Sequence, residues 1–406
     1  MTKVMQGVRV LEVAEHTFVP AASALLADWG AEVIKIEHVE RGDAMRGILS
    51  SGTTQMLGDV NVLLEHSNRG KQSLGLDLTS PDGLDILHKL AATCDVFLTN
   101  KLPGVQEKLH ITVDEVRAAN PKIIYVRGTG QGSHGPDADK GSYDSLAFWA
   151  RSGVQMGSYR PEYDDLVPVP PGPGFGDSIG AMTIAGGIMG ALYHRERTGE
   201  PTVVDVSLLG TGMWALGQAI ALSLLTGQPW QAPPRTAMNN NPLVSTYRTQ
   251  DGRWLSLCCL QAAKYWPPFC ECIGRPDLIT DERFGGHDAL FAHAQEAKTV
   301  IAEEIARRPL AAWRAALEDF VGQWTFMQTS LEVAQDPQTI ANGYVQEMVT
   351  ADGVTLHLAA APVQFDDEAP VPGRAPEFNE HGDAILESIG LDWDTIIDLK
   401  VRGVVA

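Results

Sequence analysis

The chain has 406 residues, of which 31 are Lys or Arg and 51 are Asp or Glu, so its formal net charge is -20. Hydrophobic residues make up 44% and charged residues 20%, which is typical of a globular protein with two or three domains. The acidic balance argues against nucleic acid or an anionic membrane as a partner, and no uninterrupted apolar run reaches the ~18 residues of a membrane span.

The first third of the chain alternates short β-rich runs with helical patterns. Strands are predicted at 8–13, 32–37, 73–78, 95–99 and 123–126, and helices at 20–29, 81–92 and 113–119. Ser80 and Pro81 are typical of a helix start. Alternation with short connections predicts an α/β fold with a largely parallel, doubly wound sheet. Ligands of such sheets usually bind beyond the carboxyl ends of the strands.

Loops, a long helix and a more mixed region follow. Residues 128–141 and the Pro- and Gly-rich stretch 159–176 are predicted to be loops. A helix is predicted after Asp177 and Ser178, ending at Gly199, then a strand at 202–207 and one buried apolar helix to about residue 225. Beyond a linker-like stretch at 227–234, the sequence predicts a hairpin around 251–252, helices within 265–317, a hairpin-like section at 344–363 and one last helix near 382–389.

Several familiar chemistries are not favoured by the motifs. A G-x-G-x-x-G at 130–135 is followed by Pro136 and more loop instead of a helix, so it supports dinucleotide binding only weakly. The letters of G-x-S-x-G occur at 176–180, but a loop precedes them instead of the strand that a serine hydrolase needs. The cysteines have no C-x-x-C spacing and no H-E-x-x-H is present, so we expect no metal site and a reducing cytoplasm.

Three segments suggest more specific chemistry. Residues 30–37 read as a helix end and a buried strand. Arg69 and Lys71 lie in a turn before the third strand, which is either a solvated basic turn or a phosphate-contacting loop. Asp177 lies between glycines, ahead of a Y-H-R-E-R-T-G ending at 193–199.

Asp177 has two interpretations on local pattern. It could simply cap a helix. Alternatively, it could act chemically, since an aspartate with a reference pKa of about 3.9 is ionised at neutral pH. The neighbouring glycines would then let a substrate carbonyl approach, and N–H groups at the helix start could stabilise an oxyanion.

Taken together, in this order and spacing, the three segments resemble the family III CoA-transferases. The resemblance implies a large Rossmann-like domain (1–227), a smaller α+β domain (228–340) and a C-terminal return to the large domain (341–406). It also implies an interlocked homodimer, coenzyme A and acyl-CoA as substrates with a carboxylic acid, and no permanently bound cofactor. By the same resemblance, Asp177 is the nucleophile and forms mixed anhydrides and an aspartyl-CoA thioester.

The resemblance further implies residues that bind the substrate. The loop after the first strand, with His16, Thr17 and Phe18, would face the thiol end of CoA. The other expected contacts are His38, Lys71, Gln72, Asn100, Lys101, Lys140 and Tyr143. Thr17, His38 and Gln72 depart from common family residues, and Asn239 to Pro242 replaces a glycine-rich loop, which puts formyl or oxalyl specificity in doubt. The loop 159–176 and the residues near Thr17 and Asn239 are expected to shape the acid pocket.

Two alternatives remain at this point. The racemase branch of the family pairs the aspartate with a histidine, but Tyr143 stands at that position here, and Gln261 stands where the branch has a glutamate. A tyrosine with a reference pKa of about 10 is a poor base at neutral pH, although His134 could substitute for the histidine. The other alternative is a CoA-binding protein without catalysis.

Overall fold

The computed structural model describes residues 2–47, 60–160, 166–231 and 240–406. They form two compact units, one made of Met1–Ala232 with Gln338–Ala406 and the other of Pro233–Pro337. Of the segments expected to shape the acid pocket, Asn239 and residues 161–165 of the 159–176 loop lie outside the described residues.

The first unit is built on a six-stranded parallel sheet with the order β3-β2-β1-β4-β5-β6. Its strands are β1 (Arg9–Val13), β2 (Glu32–His38), β3 (Gln72–Leu76), β4 (Val96–Thr99), β5 (Ile124–Thr129) and β6 (Val203–Ser207). This order is that of the Rossmann fold, so the predicted α/β class is confirmed. The strand order reverses between β1 and β4, where such sheets open a crevice for ligands.

Helices cover both faces of this sheet. They are α1 (Phe18–Asp28), α2 (Val62–Asn68), α3 (Pro81–Ala91), α4 (Pro103–Lys108), α5 (Val113–Ala119), α6 (Val154–Ser158), α7 (Phe175–Thr198), α8 (Leu208–Ala215) and α9 (Gly217–Thr226), with a 3₁₀ turn at Ala44–Gly47 and a π-helix at Ser145–Arg151. Neighbouring strand residues point to opposite faces, so Val10 packs in the core beneath α1 and α7 while Leu11 packs in the core beneath α3 and α5.

Two predictions about the apolar helices need correction. Helix α7 begins at Phe175, so Asp177 lies inside its first turn and Gly174, with φ of 62°, is the N-cap. The predicted single helix after β6 is two helices, α8 and α9, which meet at a bend of 73°. By length and composition alone, α7 or the joined pair could cross a membrane. However, Ile184 and Ile188 of α7 are fully buried in the core of the first unit, which is the pattern of a core helix.

The second unit carries a three-stranded antiparallel sheet in the order β7-β8-β9. Its elements are β7 (Val244–Arg248), β8 (Trp254–Cys258), α10 (Ala262–Cys272), a 3₁₀ turn (Pro276–Ile279), α11 (His287–Ala292), α12 (Ala294–Ile305), α13 (Leu310–Ala316), β9 (Trp324–Phe326) and α14 (Ser330–Ala334). The predicted hairpin is confirmed, with Gly252 at φ of 80° in its turn. Strand β9 was not predicted, since three residues are too short for a periodic pattern.

From Gln338 onward, the C-terminal segment belongs to the first unit. It contains α15 (Pro337–Ala341), β10 (Val345–Val349), β11 (Thr355–Ala359), α16 (Gly382–Ser388) and α17 (Trp393–Val401). Strands β10 and β11 form the predicted hairpin. The prediction of one helix in the tail was incomplete, because α17 follows α16. Ile396 and Leu399 of α17 are buried in the core that also holds Leu386 of α16.

Candidate active site

A groove runs along the carboxyl edge of the sheet in the first unit. One cavity is lined by residues that follow β1, β4 and β5 and by the first turn of α7. It brings together six predicted site residues: His16, Phe18, Asn100, Lys101, Tyr143 and Asp177. An adjoining cavity, beyond β1, β2 and β3, includes the predicted His38. Glu15, Arg41, Lys101 and Val105 line both cavities, so the two form one continuous groove.

The loop between β1 and α1 forms the wall of this groove. His16 has φ of 70°, a left-handed conformation that histidine adopts more readily than most residues. Its N–H donates to Asp43 Oδ1 at 3.1 Å. The side chain of Asn100 accepts from the N–H of Glu15 at 3.2 Å and donates to its carbonyl at 2.7 Å. Asn100 therefore holds the loop as well as lining the groove.

A cluster of four buried charges lies beneath this loop, and we call it the buried charge cluster: Glu12, Lys35, Asp43 and Lys71. The ammonium of Lys35 lies 2.7 Å from Glu12 Oε1 and 2.7 Å from Asp43 Oδ2, and it donates to the carbonyl of Ala14 at 2.8 Å. Burial favours the uncharged carboxyl form of Glu12, but the two lysines outweigh it and hold the pKa of Glu12 below its usual range.

Lys71 is the fourth member of the cluster. Its buried position corrects the expectation that it contacts CoA from a turn at the surface. Its ammonium donates to Glu12 Oε2 at 2.7 Å, to the carbonyl of Pro20 at 2.8 Å and to Asn68 Oδ1 at 3.1 Å. These three partners use its three N–H donors, and burial lowers its pKa to about 8. Arg69 is buried too and pairs with Asp28 at 2.8 Å. The turn is therefore neither solvated nor open to a phosphate, because both cations are buried and already paired with groups of the protein.

Three further predicted contacts are not in the groove. Gln72 begins β3, where it pairs with Ile34. Lys140 is exposed and pairs with Asp137 at 2.6 Å. Neither lines the two cavities of the groove, and Thr17, at 6% exposure, is buried at the start of α1.

Asp177 enters the groove from the first turn of α7. Burial raises the pKa of its carboxyl to about 7, and the nearby charge of Asp144 adds to the shift. With a pKa near 7, part of the Asp177 carboxyl groups are protonated at neutral pH, whereas the reference pKa predicted an ionised carboxylate.

The glycines around Asp177 were expected to let a substrate carbonyl approach, but they have a packing role. A Cβ on Gly176 would lie 2.5 Å from the ring of Phe148, and one on Gly180 would lie 2.3 Å from Phe18. These glycines permit close packing of α7 against the π-helix and α1, so the close approach is to aromatic rings. The N–H of Gly176 donates to Asp144 Oδ2 at 3.2 Å, so it is engaged there and does not face an oxyanion.

Tyr143 lines the same cavity as Asp177 and bears on the racemase alternative. Its ring meets that of His16 edge to face, with centroids 5.7 Å apart, and 61% of the residue is exposed. His134, the possible substitute base, is exposed and is not among the groove residues in the described part of the chain. Neither the position of Tyr143 nor His134 therefore supplies a histidine at the cavity, and the histidine that lines it together with Asp177 is His16.

Sequence reasoning missed two charged residues of the groove and the role of one motif. Glu15 Oε2 lies 2.9 Å from the Lys101 ammonium, and Arg41 Nη2 lies 3.6 Å from Glu15 Oε1. Arg41 could have been found as a cation just after β2, at the ligand edge.

Arg195, in the motif at the end of α7, donates to the carboxylate and carbonyl of Asp95 and anchors the helix to the sheet.

A crevice at the strand-order reversal, two cations and a partly buried carboxylate define an enzyme site for an anionic, nucleotide-like ligand. Residues 5–382 match the model of CoA-transferase family III, and the chain belongs to that family.

Two curated relatives align over nearly the whole chain. An (R)-2-hydroxy-4-methylpentanoate CoA-transferase from Clostridioides difficile is 31% identical over 403 residues, covering 99% of each protein. A cinnamoyl-CoA:phenyllactate CoA-transferase from Clostridium sporogenes is 30% identical, covering 98% of this chain and 96% of the relative. Among solved structures, a CaiB/BaiF family protein from Brucella suis superimposes with a TM-score of 0.79 at 26% identity, over 96% of this chain and all (100%) of that one.

These likenesses agree on the activity. The protein is an enzyme of the CoA-transferase type, and it moves CoA between an acyl-CoA and a carboxylic acid. The predicted family is confirmed, and the alternative of a CoA-binding protein without catalysis is not supported. CoA thioesters are its substrates.

Proposed function

We propose that Asp177 carries out CoA transfer as a covalent nucleophile. The observation that supports this most strongly is its position: a partly buried carboxyl with a pKa raised to about 7, at the end of a groove that carries Lys101 and Arg41. A raised pKa makes the ionised carboxylate a stronger nucleophile, since basicity and nucleophilicity rise together.

The proposed reaction has four steps. The Asp177 carboxylate attacks the donor thioester, the carbon–sulfur bond breaks and CoA leaves as a thiolate. The thiolate attacks the Asp177 carbonyl of the mixed anhydride, which releases the donor acid and leaves an aspartyl-CoA thioester. The acceptor acid attacks this thioester and again releases the thiolate. Finally the thiolate attacks the acceptor carbonyl, so that the new acyl-CoA leaves and the carboxylate is restored.

The oxygen atoms provide the test of this function. In the proposed route, one carboxylate oxygen of the acceptor bridges to Asp177 in the second anhydride and stays on Asp177 when the new acyl-CoA leaves. We therefore expect turnover with an acceptor whose two carboxylate oxygens are heavy isotopes to place heavy oxygen on Asp177, detected by fragmenting the peptide in a mass spectrometer. Incubation without the donor acyl-CoA is the control and should leave the peptide unlabelled. Turnover with no label on Asp177 rules out the covalent route.

The groove also suggests how CoA lies. We place its phosphates beside Arg41 and Lys101, because guanidinium and ammonium groups are the usual protein partners of phosphate. The adjoining cavity, with Leu76 and Leu109 on its wall and His38 at its edge, would take the adenine. The thiol end would then reach His16, Phe18 and Asp177, in keeping with the sequence-based expectation.

The acids exchanged are proposed by class only. Two relatives of about 30% identity are named for 2-hydroxy acids with a branched or aromatic side chain. We therefore propose that the first acyl-CoA and acid pairs to assay are 2-hydroxy acids and the corresponding unsaturated acids.

We further propose that the chain forms the interlocked homodimer that the family resemblance implies, in a reducing cytoplasm. A broad exposed apolar surface on α8 and α9 supports self-association: Met213, Trp214, Leu222, Leu224 and Leu225. The five cysteines are unpaired, which suits a reducing compartment.

Interlocking predicts unusual subunit exchange. Two preparations with different affinity tags, mixed under native conditions, are expected to give no mixed dimers, because linked chains cannot separate while folded. Mixed dimers should form only after joint unfolding in denaturant and refolding, which serves as the control. Sedimentation as a monomer would contradict the dimer, and mixed dimers formed under native conditions would contradict the interlocking.

A further inference from the structure

The first turn of α7 is held by the segment that leads into the π-helix. Asp144 lies just before the π-helix and accepts the N–H of Gly176 through Oδ2 at 3.2 Å. Phe148 of the π-helix packs against the bare Cα of Gly176, and its ring meets that of Phe175 with centroids 6.2 Å apart. Three contacts thus connect this segment to the turn that carries Asp177.

Asp144 also follows Tyr143 directly in the chain. Tyr143 and Asp177 line the same cavity but come from segments more than thirty residues apart. The hydrogen bond from Gly176 to Asp144 links the residue after Tyr143 to the residue before Asp177. It is therefore a direct polar connection between the two segments that carry Tyr143 and Asp177.

We propose that Asp144 is a positioning residue for CoA transfer, which holds the first turn of α7 and so sets Asp177 against Tyr143. This inference rests on the proposed role of Asp177 as the nucleophile. Asp144 contributes a hydrogen-bond acceptor and a negative charge, and the two contributions can be separated by substitution.

The charge of Asp144 acts on Asp177 directly. Burial is the main cause of the raised pKa of Asp177, and Asp144 is the neighbouring charge that adds to it. The other titratable groups on the cavity wall are His16, Tyr143, Glu15, Lys101 and Arg41, and Glu15 already pairs with the two cations. A negative charge beside Asp177 keeps its carboxyl basic, which strengthens the nucleophile at the expense of the ionised fraction.

Two substitutions separate the roles. Asp144→Asn retains an oxygen that accepts the Gly176 N–H but removes the charge. We expect it to move the acid limb of the kcat/KM profile to lower pH, because Asp177 then ionises more easily. Asp144→Ala removes the acceptor as well, and we expect kcat to fall by roughly 10–100-fold at all pH values through misplacement of Asp177, with most of that loss restored in the Asn variant.

A stability measurement tests the effect of Asp144 on the pKa of Asp177 without relying on catalysis. A raised pKa in the folded state means that folding binds extra protons, so the free energy of unfolding falls as the pH rises from about 4 to about 7. In the otherwise wild-type chain, Asp144→Asn should make this fall smaller. In a chain that carries Asp177→Asn, the titrating group is absent, so Asp144→Asn should not change how the free energy of unfolding depends on pH.

The outcomes distinguish the two proposals. If Asp177 gains no heavy oxygen but the stability coupling is present, the nucleophile fails while the contact between Asp144 and Asp177 stands. If Asp144→Asn superimposes on the wild type in both the pH–rate profile and the stability curve, Asp144 has no influence on Asp177. An Asp144→Ala enzyme with wild-type kcat would remove the positioning role.

Discussion

Asp177→Asn is expected to lower kcat for CoA transfer by at least about a thousandfold, since a neutral amide cannot form the anhydride or the thioester. The measurement is initial rate against acyl-CoA concentration, with free and thioester-bound CoA followed by chromatography. Asn has nearly the shape of Asp, so the first turn of α7 and its contact with Asp144 should persist.

Glu196→Gln is the matched control for this substitution. It makes the same chemical change on an exposed residue near the other end of the same helix, outside the groove. We expect its kcat to stay close to that of the wild type. Turnover within tenfold of the wild type in Asp177→Asn would end the assignment of Asp177 as the nucleophile.

Asp177→Asn should stabilise the folded protein although it lowers kcat. The pKa of Asp177 is raised from 3.8 to about 7, so ionising this buried group at higher pH works against the folded state. One pKa unit corresponds to about 1.4 kcal/mol, and after solvent relaxation we expect Asp177→Asn to gain about 1–3 kcal/mol at about pH 8. Urea unfolding at about pH 8 and pH 4 should show that gain at the higher pH and little at the lower.

Glu12→Gln is expected to produce the largest loss of stability, about 3–5 kcal/mol, because it breaks buried ion pairs and leaves the Lys71 ammonium without an anionic partner. Both lysines of the buried charge cluster depend on Glu12, with Lys35 at Oε1 and Lys71 at Oε2, both at 2.7 Å. Lys35 retains Asp43 as an anionic partner, whereas the ammonium of Lys71 would retain only neutral partners, Asn68 and the carbonyl of Pro20.

Glu32→Gln provides the comparison for Glu12→Gln. Glu32 pairs with Arg9 at 3.0 Å, but both side chains are partly exposed, and such pairs contribute only about 0–1 kcal/mol. The midpoint of urea unfolding should therefore fall sharply for Glu12→Gln and hardly at all for Glu32→Gln. Equal shifts in the two variants would mean that the buried charge cluster does not stabilise the fold.

Activity should fall with Glu12→Gln even at temperatures where the variant stays folded. The cluster holds the carbonyls of Ala14 and Pro20 and, through Asp43, the N–H of His16. These backbone groups bracket the loop that forms the groove wall, so loosening the cluster loosens the loop. A folded Glu12→Gln enzyme with unchanged kcat/KM would contradict this link.

The sheet was predictable because its signals are local. Each strand of the first third is a short apolar run between turn residues, and a predicted helix separates all successive runs except the second and third. Helix α5 was predicted with its observed ends, Val113–Ala119. The bend between α8 and α9 and the existence of α17 were not predicted, because apolar spacing continues across a bend and α17 is identified mainly by the core into which Ile396 and Leu399 pack.

The groove was predictable in part, and mainly through the family resemblance. That resemblance pointed to Asp177, His16, Asn100 and Tyr143, which come from four separate segments and meet at one cavity. It also pointed to Lys71, and there the expectation failed. A lysine in a glycine-containing turn resembles a surface cation in sequence, whereas its partners, Glu12 and Pro20, come from a distant strand and helix.

By itself, the sequence determined the class of sheet, the order of its elements and the presence of an aspartate between glycines at a helix start. Periodicity and turn chemistry act over a few residues, so they can be read without coordinates. Only the tertiary structure decided which charges are exposed and which are buried. Folding buries Lys71 of the basic turn in the buried charge cluster and raises the pKa of Asp177. Both effects depend on residues that meet only when the chain is folded, because they arise from desolvation and, for Asp177, from the charge of Asp144.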